Sequence, residues 1–365
     1  VALNVDHVHR RLERVRAARA QPRRDAVELR GAFGQRAMIL DPAAVKRRVQ
    51  PHRCVADAEA RRAREAGAGV QKVYLIDKHI EFCHNCRSCM QHPGPQRGAC
   101  VIQDEMAPLL DAIADHPLVV HFQGPWGLEG LVERQAGVVV RTKTRIERRV
   151  YARADAFIVL SPPFADILVR HFGIPREKIH VIPGGVDVPR YAITDTRASC
   201  RERLGWPADR PIVLSVRRLM RRMGLDALIA ATLEIRAQIP DILVLIAGTG
   251  PIEGELRQQI AALGLQDHVR LLGFVPDGDL PAAYRAASLT VVPTHALEGF
   301  GLIVAESLAA GTACLVTPVG GLPAAVEALS PELVLRGADA ASIADGVIGA
   351  LSGTRLMPDA EACRD

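Results

Sequence analysis

From Phe157 to Val316 the chain repeats one pattern, a short and mostly apolar run followed by a longer amphipathic stretch. The runs are Phe157–Leu160, Ile179–Ile182, Ile212–Val216, Leu243–Ala247, Val269–Leu272, Leu289–Val292 and Ala313–Val316. Each is too short for a helix and is bounded by glycine, proline or polar residues, so each reads as a buried strand. Strands that alternate with helices lie parallel, because every connection carries a helix onto a face of the sheet. The pattern therefore predicts an α/β chain of parallel, helix-covered sheets. Ligands of such sheets bind beyond the carboxyl ends of the strands.

Length and composition fit that architecture. The 365 residues, 48% hydrophobic and 24% charged, suit a globular chain of two or more domains. The Pro- and Gly-rich stretch Pro183–Arg190, followed by Thr194–Thr196, is the linker candidate. Three segments result: 1–115, 116–190 and 191–365. No apolar run reaches the roughly eighteen residues of a membrane span, and no basic-then-apolar signal segment opens the chain, which makes cytoplasmic the expected location. Residues 1–66 hold 16 Lys and Arg against 8 Asp and Glu, so the formal charge of +5 belongs to this segment. Such a surplus is suited to peripheral contact with the anionic inner face of a membrane. Its arginines are spread through Ala-rich helical sequence without aromatic platforms, which argues for a solvated helix face and against nucleic-acid binding.

The segment Pro293–Ser307 carries the densest chemistry. It follows a buried strand, and it holds Glu298, Gly299, Phe300, Gly301 and then Glu306 within a helical stretch. Gly299 and Gly301 allow close backbone approach to a ligand, and the free N–H groups of the helix start favour a diphosphate. Glu306 lies about two helical turns beyond Glu298, which lets both carboxylates face one cleft and Glu306 accept hydrogen bonds from ribose hydroxyls.

These residues resemble the family 4 glycosyltransferases, retaining enzymes of the GT-B fold. The resemblance runs over about 117–351 on His121-Phe-Gln-Gly-Pro-Trp126, Ile158–Ser161, Val181–Asp187, Ser215–Leu219, Ile246–Gly250, Leu271–Val275, the two-glutamate segment and Thr317–Pro323. It implies two Rossmann-like domains, the first one atypical here, and transfer from a nucleoside-diphosphate sugar without a metal. Arg218 matches the first cation for the diphosphate. Where a lysine usually supplies the second, this chain has Met223, leaving Arg222 or Arg221 as the source of charge. Gly248 and Gly250 form the turn beneath the nucleotide, Val275 offers backbone contacts to the base, and Glu298 with Gly299, Phe300 and Gly301 faces the donor sugar and its phosphates. The resemblance also implies front-face attack assisted by the leaving phosphate, so no protein nucleophile is named. The acceptor-side histidine of the family falls on His121 or on Gln123 according to register. Trp126, Glu129, Arg145 and Glu147 stand nearby, with core packing or surface pairing as their alternative roles. The acceptor class is open between a glycan, a lipid-linked sugar and a small molecule.

Residues 1–115 lack the opening strand–helix units of that family. Instead, Ala56–Asp115 resembles a short piece of flavodoxin-like NADPH-dependent FMN reductases and iron–sulfur flavoproteins, without their flavin-phosphate loop. Cys83, Cys86 and Cys89, with Cys100, have ligand spacing for a [4Fe–4S] cluster or a zinc ion. The competing expectation is therefore a redox flavoprotein or iron–sulfur fragment fused to a non-catalytic nucleotide-sugar-binding domain. An incomplete acceptor side implies weak transfer.

Overall fold

The computed structural model describes residues 118–365, together with the backbone of two strands nearer the N-terminus. In the N-terminal unit, which ends at Pro117, β1 (Asp25–Leu29) and β2 (Gly69–Val73) pair in parallel with Asp25 opposite Gly69. Neither strand is among the runs read from the sequence. Both strands carry charged residues between their apolar ones, and that mixture hides them from a search for continuous apolar runs. The cysteines Cys83, Cys86, Cys89 and Cys100 lie outside the described residues.

The second unit, Leu118–Asp365, contains two parallel sheets. The first is ordered β3 (Val119–Phe122), β4 (Ala156–Val159), β5 (Ile179–Val181), with His121 opposite Ile158. Two helices, α1 (Trp126–Val132) and α2 (Gly137–Tyr151), connect β3 to β4, and α3 (Pro162–Phe172) connects β4 to β5. The core of this sheet is aromatic: Phe122 meets Phe164 edge-on at 5.5 Å, and Tyr151 meets Phe157 in the same way. Two prolines open α3, where missing N–H groups cost nothing, and Gly173 closes it in the left-handed conformation.

Glu147 fastens α1 to α2. Its buried carboxylate accepts the backbone N–H groups of Trp126 at 2.6 Å and Gly127 at 2.9 Å, the first free donors of α1. Burial pushes this carboxyl above its ordinary range, against the pull of those two N–H groups. The surface-pairing alternative for Glu147 is thereby replaced by a helix-start contact. Arg145, on the same helix, is exposed.

After α4 (Val188–Tyr191) and α5 (Arg197–Leu204) comes the larger sheet. Its strands are β6 (Ile212–Val216), β7 (Leu243–Ala247), β8 (Val269–Gly273), β9 (Leu289–Val292) and β10 (Cys314–Val316), ordered β10-β9-β6-β7-β8. The connections hold α6 (Leu225–Gln238), α7 (Glu253–Ala262), α8 (Leu280–Ala286) and α9 (Leu302–Ala309); α10 (Ala340–Ser352) and α11 (Ala360–Arg364) follow. Alternate residues of the strands enter two separate cores. Val213, Val244 and Ile246 pack with α6 and α10, whereas Ile212, Leu214, Leu243 and Leu245 pack with α8 and Tyr191. A parallel sheet buried on both faces needs apolar residues at every position, which is why its strands read as continuous runs.

The amino ends of these strands are tied down by arginines. Arg201 of α5, buried, donates to the carbonyls of Ala286, Pro207, Ala208 and Arg210 and to the hydroxyl of Ser288. Arg210 likewise donates to the carbonyls of Asp241, Ile242 and Asp267. Among the described residues no helix is long and apolar enough to cross a membrane.

Candidate functional site

Five loops leave the carboxyl ends of the larger sheet, and backbone hydrogen bonds join them into one surface. The Arg217 N–H donates to Ala247 at 2.8 Å, Leu219 to Thr249 at 3.1 Å, Gly248 to Gly273 at 2.7 Å, His295 to Arg222 at 2.9 Å and Gly321 to Glu298 at 3.0 Å. Close contact between two of these loops requires glycine at 248. Its φ is +137°, and a Cβ there would stand 1.9 Å from the Arg217 carbonyl oxygen. Gly250 is similarly pressed against Leu219, so both glycines of this turn serve the fit between loops.

The segment after β9 places both carboxylates. Leu297 takes a positive φ of 57°, unusual for a side chain of its size, and turns the chain so that Glu298 points back toward β6. There the Glu298 carboxylate accepts from the Arg217 guanidinium, which also donates to the Thr294 hydroxyl. Thr294 is itself 3.3 Å from the same carboxylate oxygen. Gly299 lies against the Phe164 ring of α3, with 3.0 Å between a Cβ there and the ring edge. Gly301, at φ +76°, caps α9, and Phe300 packs over Gly184 of the linker. Gly299 and Gly301 are thus required by contacts within the chain, beyond the ligand approach expected of them.

Glu306 lies on α9, the helix that Gly301 starts. Its carboxylate accepts the Tyr284 hydroxyl at 2.8 Å and stands beside the Tyr191 phenol. Burial raises the pKa of both phenols, and the adjacent Glu306 charge raises it further, so both remain donors. Arg217, Thr294, Tyr191 and Tyr284 were not singled out in the sequence. Tyrosines 22 and 115 residues away from a glutamate carry no local signal, whereas Arg217 stood beside Arg218 with nothing to mark which of the two turns inward.

The other candidates divide between the two halves of the unit. Arg218 is exposed just beyond β6. Arg222 is mostly buried; it donates to the Leu297 carbonyl at 3.1 Å and pairs at 3.3 Å with Glu129 of α1. Glu133, at the end of α1, accepts the N–H groups of Arg221 and Arg222 at 3.1 Å each. Burial pushes the Glu129 carboxyl up despite the nearby Arg222 and Arg218 charges. Glu129, read as a lining residue of an acceptor cleft, is here engaged with the cation-bearing loop. Val275 follows β8 beside Phe274, which is 72% exposed. β3 ends at Phe122, so His121 is within the strand and Gln123 is the first residue after it; both are exposed. No group of three metal-binding side chains occurs among the described residues.

Residues 196–364 match the family model described as Glycosyl transferases group 1, and residues 102–190 that of Glycosyltransferase Family 4. The latter match begins inside the segment that resembled flavoproteins, and the flavodoxin-like likeness is not supported. D-inositol 3-phosphate glycosyltransferase of Nocardia farcinica is 37% identical over 217 residues, 57% of this chain and 47% of that protein. Sucrose-phosphate synthase from Thermosynechococcus elongatus is similar in structure, with a TM-score of 0.56 and 27% identity over 71% of this chain and 63% of that one. Anabaena HepE, solved in complex with UDP-glucose, shares the fold at a TM-score of 0.57 and 23% identity, over 71% and 68% of the two chains. The chain spans about half the length of the curated relatives it matches. Over residues 102–364, then, the chain matches the Glycosyltransferase Family 4 and Glycosyl transferases group 1 models in succession, and its fold is that of the GT-B glycosyltransferases.

Proposed function

We propose that this protein transfers a sugar from a nucleoside-diphosphate sugar to a small-molecule acceptor with retention of anomeric configuration. The observation that carries this reading is the pair of carboxylates at the carboxyl edge of the larger sheet, each oriented by buried donors: Glu298 by Arg217 and Thr294, Glu306 by Tyr284. In this reading Glu306 accepts from the ribose hydroxyls, Glu298 faces the sugar, and Arg218 meets the diphosphate, where charge builds as the bond to the sugar breaks. The bond from the sugar carbon to the β-phosphate oxygen breaks, and the bond to the acceptor oxygen forms on the same face. The acceptor proton passes to the leaving phosphate. With Gln123 in the position after β3, the acceptor side contributes hydrogen bonds and no imidazole base.

HepE was crystallised with UDP-glucose and the Nocardia relative is named for D-inositol 3-phosphate, which makes these the first donor and acceptor to test. Calorimetric titration with UDP-glucose and GDP-mannose in EDTA should give saturable binding to one of them. Absence of binding at millimolar donor removes the proposal. Where transfer is observed, the product anomer read by NMR decides retention, and slow transfer is expected from the atypical acceptor side. A cytoplasmic location, peripheral at the inner membrane face, is part of the same proposal. It is supported by exposed Arg141, Arg145, Arg148 and Arg149 with exposed Val138 and Val139 on α2, and co-sedimentation with anionic vesicles tests it.

A further inference from the structure

Arg217 and Arg218 are consecutive residues of an extended segment, so their side chains leave it on opposite sides. Arg218 is exposed, whereas the Arg217 side chain is 7% exposed and ends against Glu298 and Thr294. The backbone of Arg217 is fixed as firmly as its guanidinium. Its N–H is bonded to Ala247, and Gly248 is pressed against its carbonyl. Glu298 is held in the same manner, its carbonyl accepting the Gly321 N–H while Gly320 leaves no space for a Cβ behind it, at 2.0 Å.

A buried ion pair contributes little stability relative to apolar residues of similar size, so core packing alone does not account for an arginine in this place. Two further features separate it from a structural staple such as Arg201. Its Nε is buried without a hydrogen-bond partner, and the acceptors it does reach are side chains of the two-glutamate loop, with no backbone carbonyl among them. The whole arrangement restrains one carboxylate, and Leu297 adopts its unusual backbone conformation immediately before that carboxylate.

We infer that Arg217 is a positioning residue that fixes the Glu298 carboxylate for the sugar ring of the donor. The inference rests on the reading of Glu298 as the sugar-side carboxylate. It follows that Arg217 governs how much the sugar adds to nucleotide affinity, and leaves the affinity for the nucleotide itself nearly unchanged.

The test compares the full chain with its Arg217→Met, Arg217→Lys, Glu298→Gln and Arg217→Met/Glu298→Gln variants, titrated calorimetrically with UDP and UDP-glucose, or with GDP and GDP-mannose if that donor binds. Arg217→Met is expected to lower sugar-nucleotide affinity about tenfold and nucleotide affinity less than about twofold, with Arg217→Lys between it and the native chain. The double variant should be no weaker than Glu298→Gln alone, because Arg217 acts through that carboxylate. Equal losses for nucleotide and sugar nucleotide overturn the inference and leave Arg217 a structural residue. An unchanged ratio in Arg217→Met overturns it as well. A native chain that binds UDP or GDP without any gain from the sugar refutes the inference while the nucleotide site stands; one that binds neither refutes the proposed function too. If Arg217→Met does not fold, Arg217→Lys and Thr294→Val carry the comparison, and an unaltered ratio in both is the refuting result.

Discussion

Glu306 is held by the Tyr284 phenol, whose own environment keeps it protonated, and this decides how its substitution is felt. Removing the Tyr284 hydroxyl leaves the carboxylate in place and withdraws one donor, so Tyr284→Phe should weaken donor binding less than Glu306→Ala does. The latter leaves Tyr284 and the ribose hydroxyls without an acceptor, a loss of roughly 1–3 kcal/mol. Titration of both variants with the same nucleotide checks the order. A Tyr284→Phe effect equal to that of Glu306→Ala would mean that Tyr284 orders the whole of α9. Residue types and spacing made Glu298 and Glu306 visible in the sequence, because both lie in one short segment with its glycines. Their partners were not visible, since Arg217 and Tyr284 reach them through the order of strands in the sheet.

Among the elements, α1 and α2 depend on a contact with an unusual pH response. The folded-state pKa of Glu147 is raised by burial, so the charged form is disfavoured in the native chain. Its contribution to stability is therefore fully present below the ordinary glutamate range and is lost as pH rises through the raised value. Glu147→Gln has no such charge. Its melting temperature should gain on that of the native chain as the buffer is moved from pH about 4 to about 7. A difference in melting temperature that stays constant over this window refutes the assignment. At the other end of the unit, Arg201 binds α5 to the start of β9 and to the loop before β6 through four carbonyls and one hydroxyl. Arg201→Met keeps most of the volume and leaves those acceptors unpaired, which should cost about 3 kcal/mol in urea unfolding. A cost below about 1 kcal/mol would show that water replaces the guanidinium.

At the scale of the whole 118–365 unit, the smaller sheet reaches the loops of the larger one through carboxylates. Glu129 competes for Arg222, which with Arg221 is one of the two candidates for the second cation of the diphosphate. If Arg222 serves the donor, Glu129→Gln should tighten nucleotide binding about threefold, an effect that falls with added salt. Unchanged affinity would remove Arg222 from the donor site and leave Arg218 as its cation. The sequence by itself determined the parallel α/β architecture, because a sheet buried on both faces demands apolar residues at every strand position and prints them as runs. Every strand expected from 157 to 316 is present, with some ends shifted by a residue, outward at Ala156 and Gly273 and inward at Leu160 and Ala313. It also marked the candidate site, since glycines and carboxylates cluster after strand ends. Only the tertiary structure decided which side chains those carboxylates meet. Arg217 and Arg218 are identical in chemistry and adjacent in the chain, and the one that turns inward is set by the pleat at the end of β6. Likewise the sequence offers Glu129 as a lining residue of the acceptor cleft and Glu147 on a helix directed toward it, without saying what either meets. Helix packing sets the first, partly buried, beside an arginine of the other half and buries the second against the start of its own neighbouring helix.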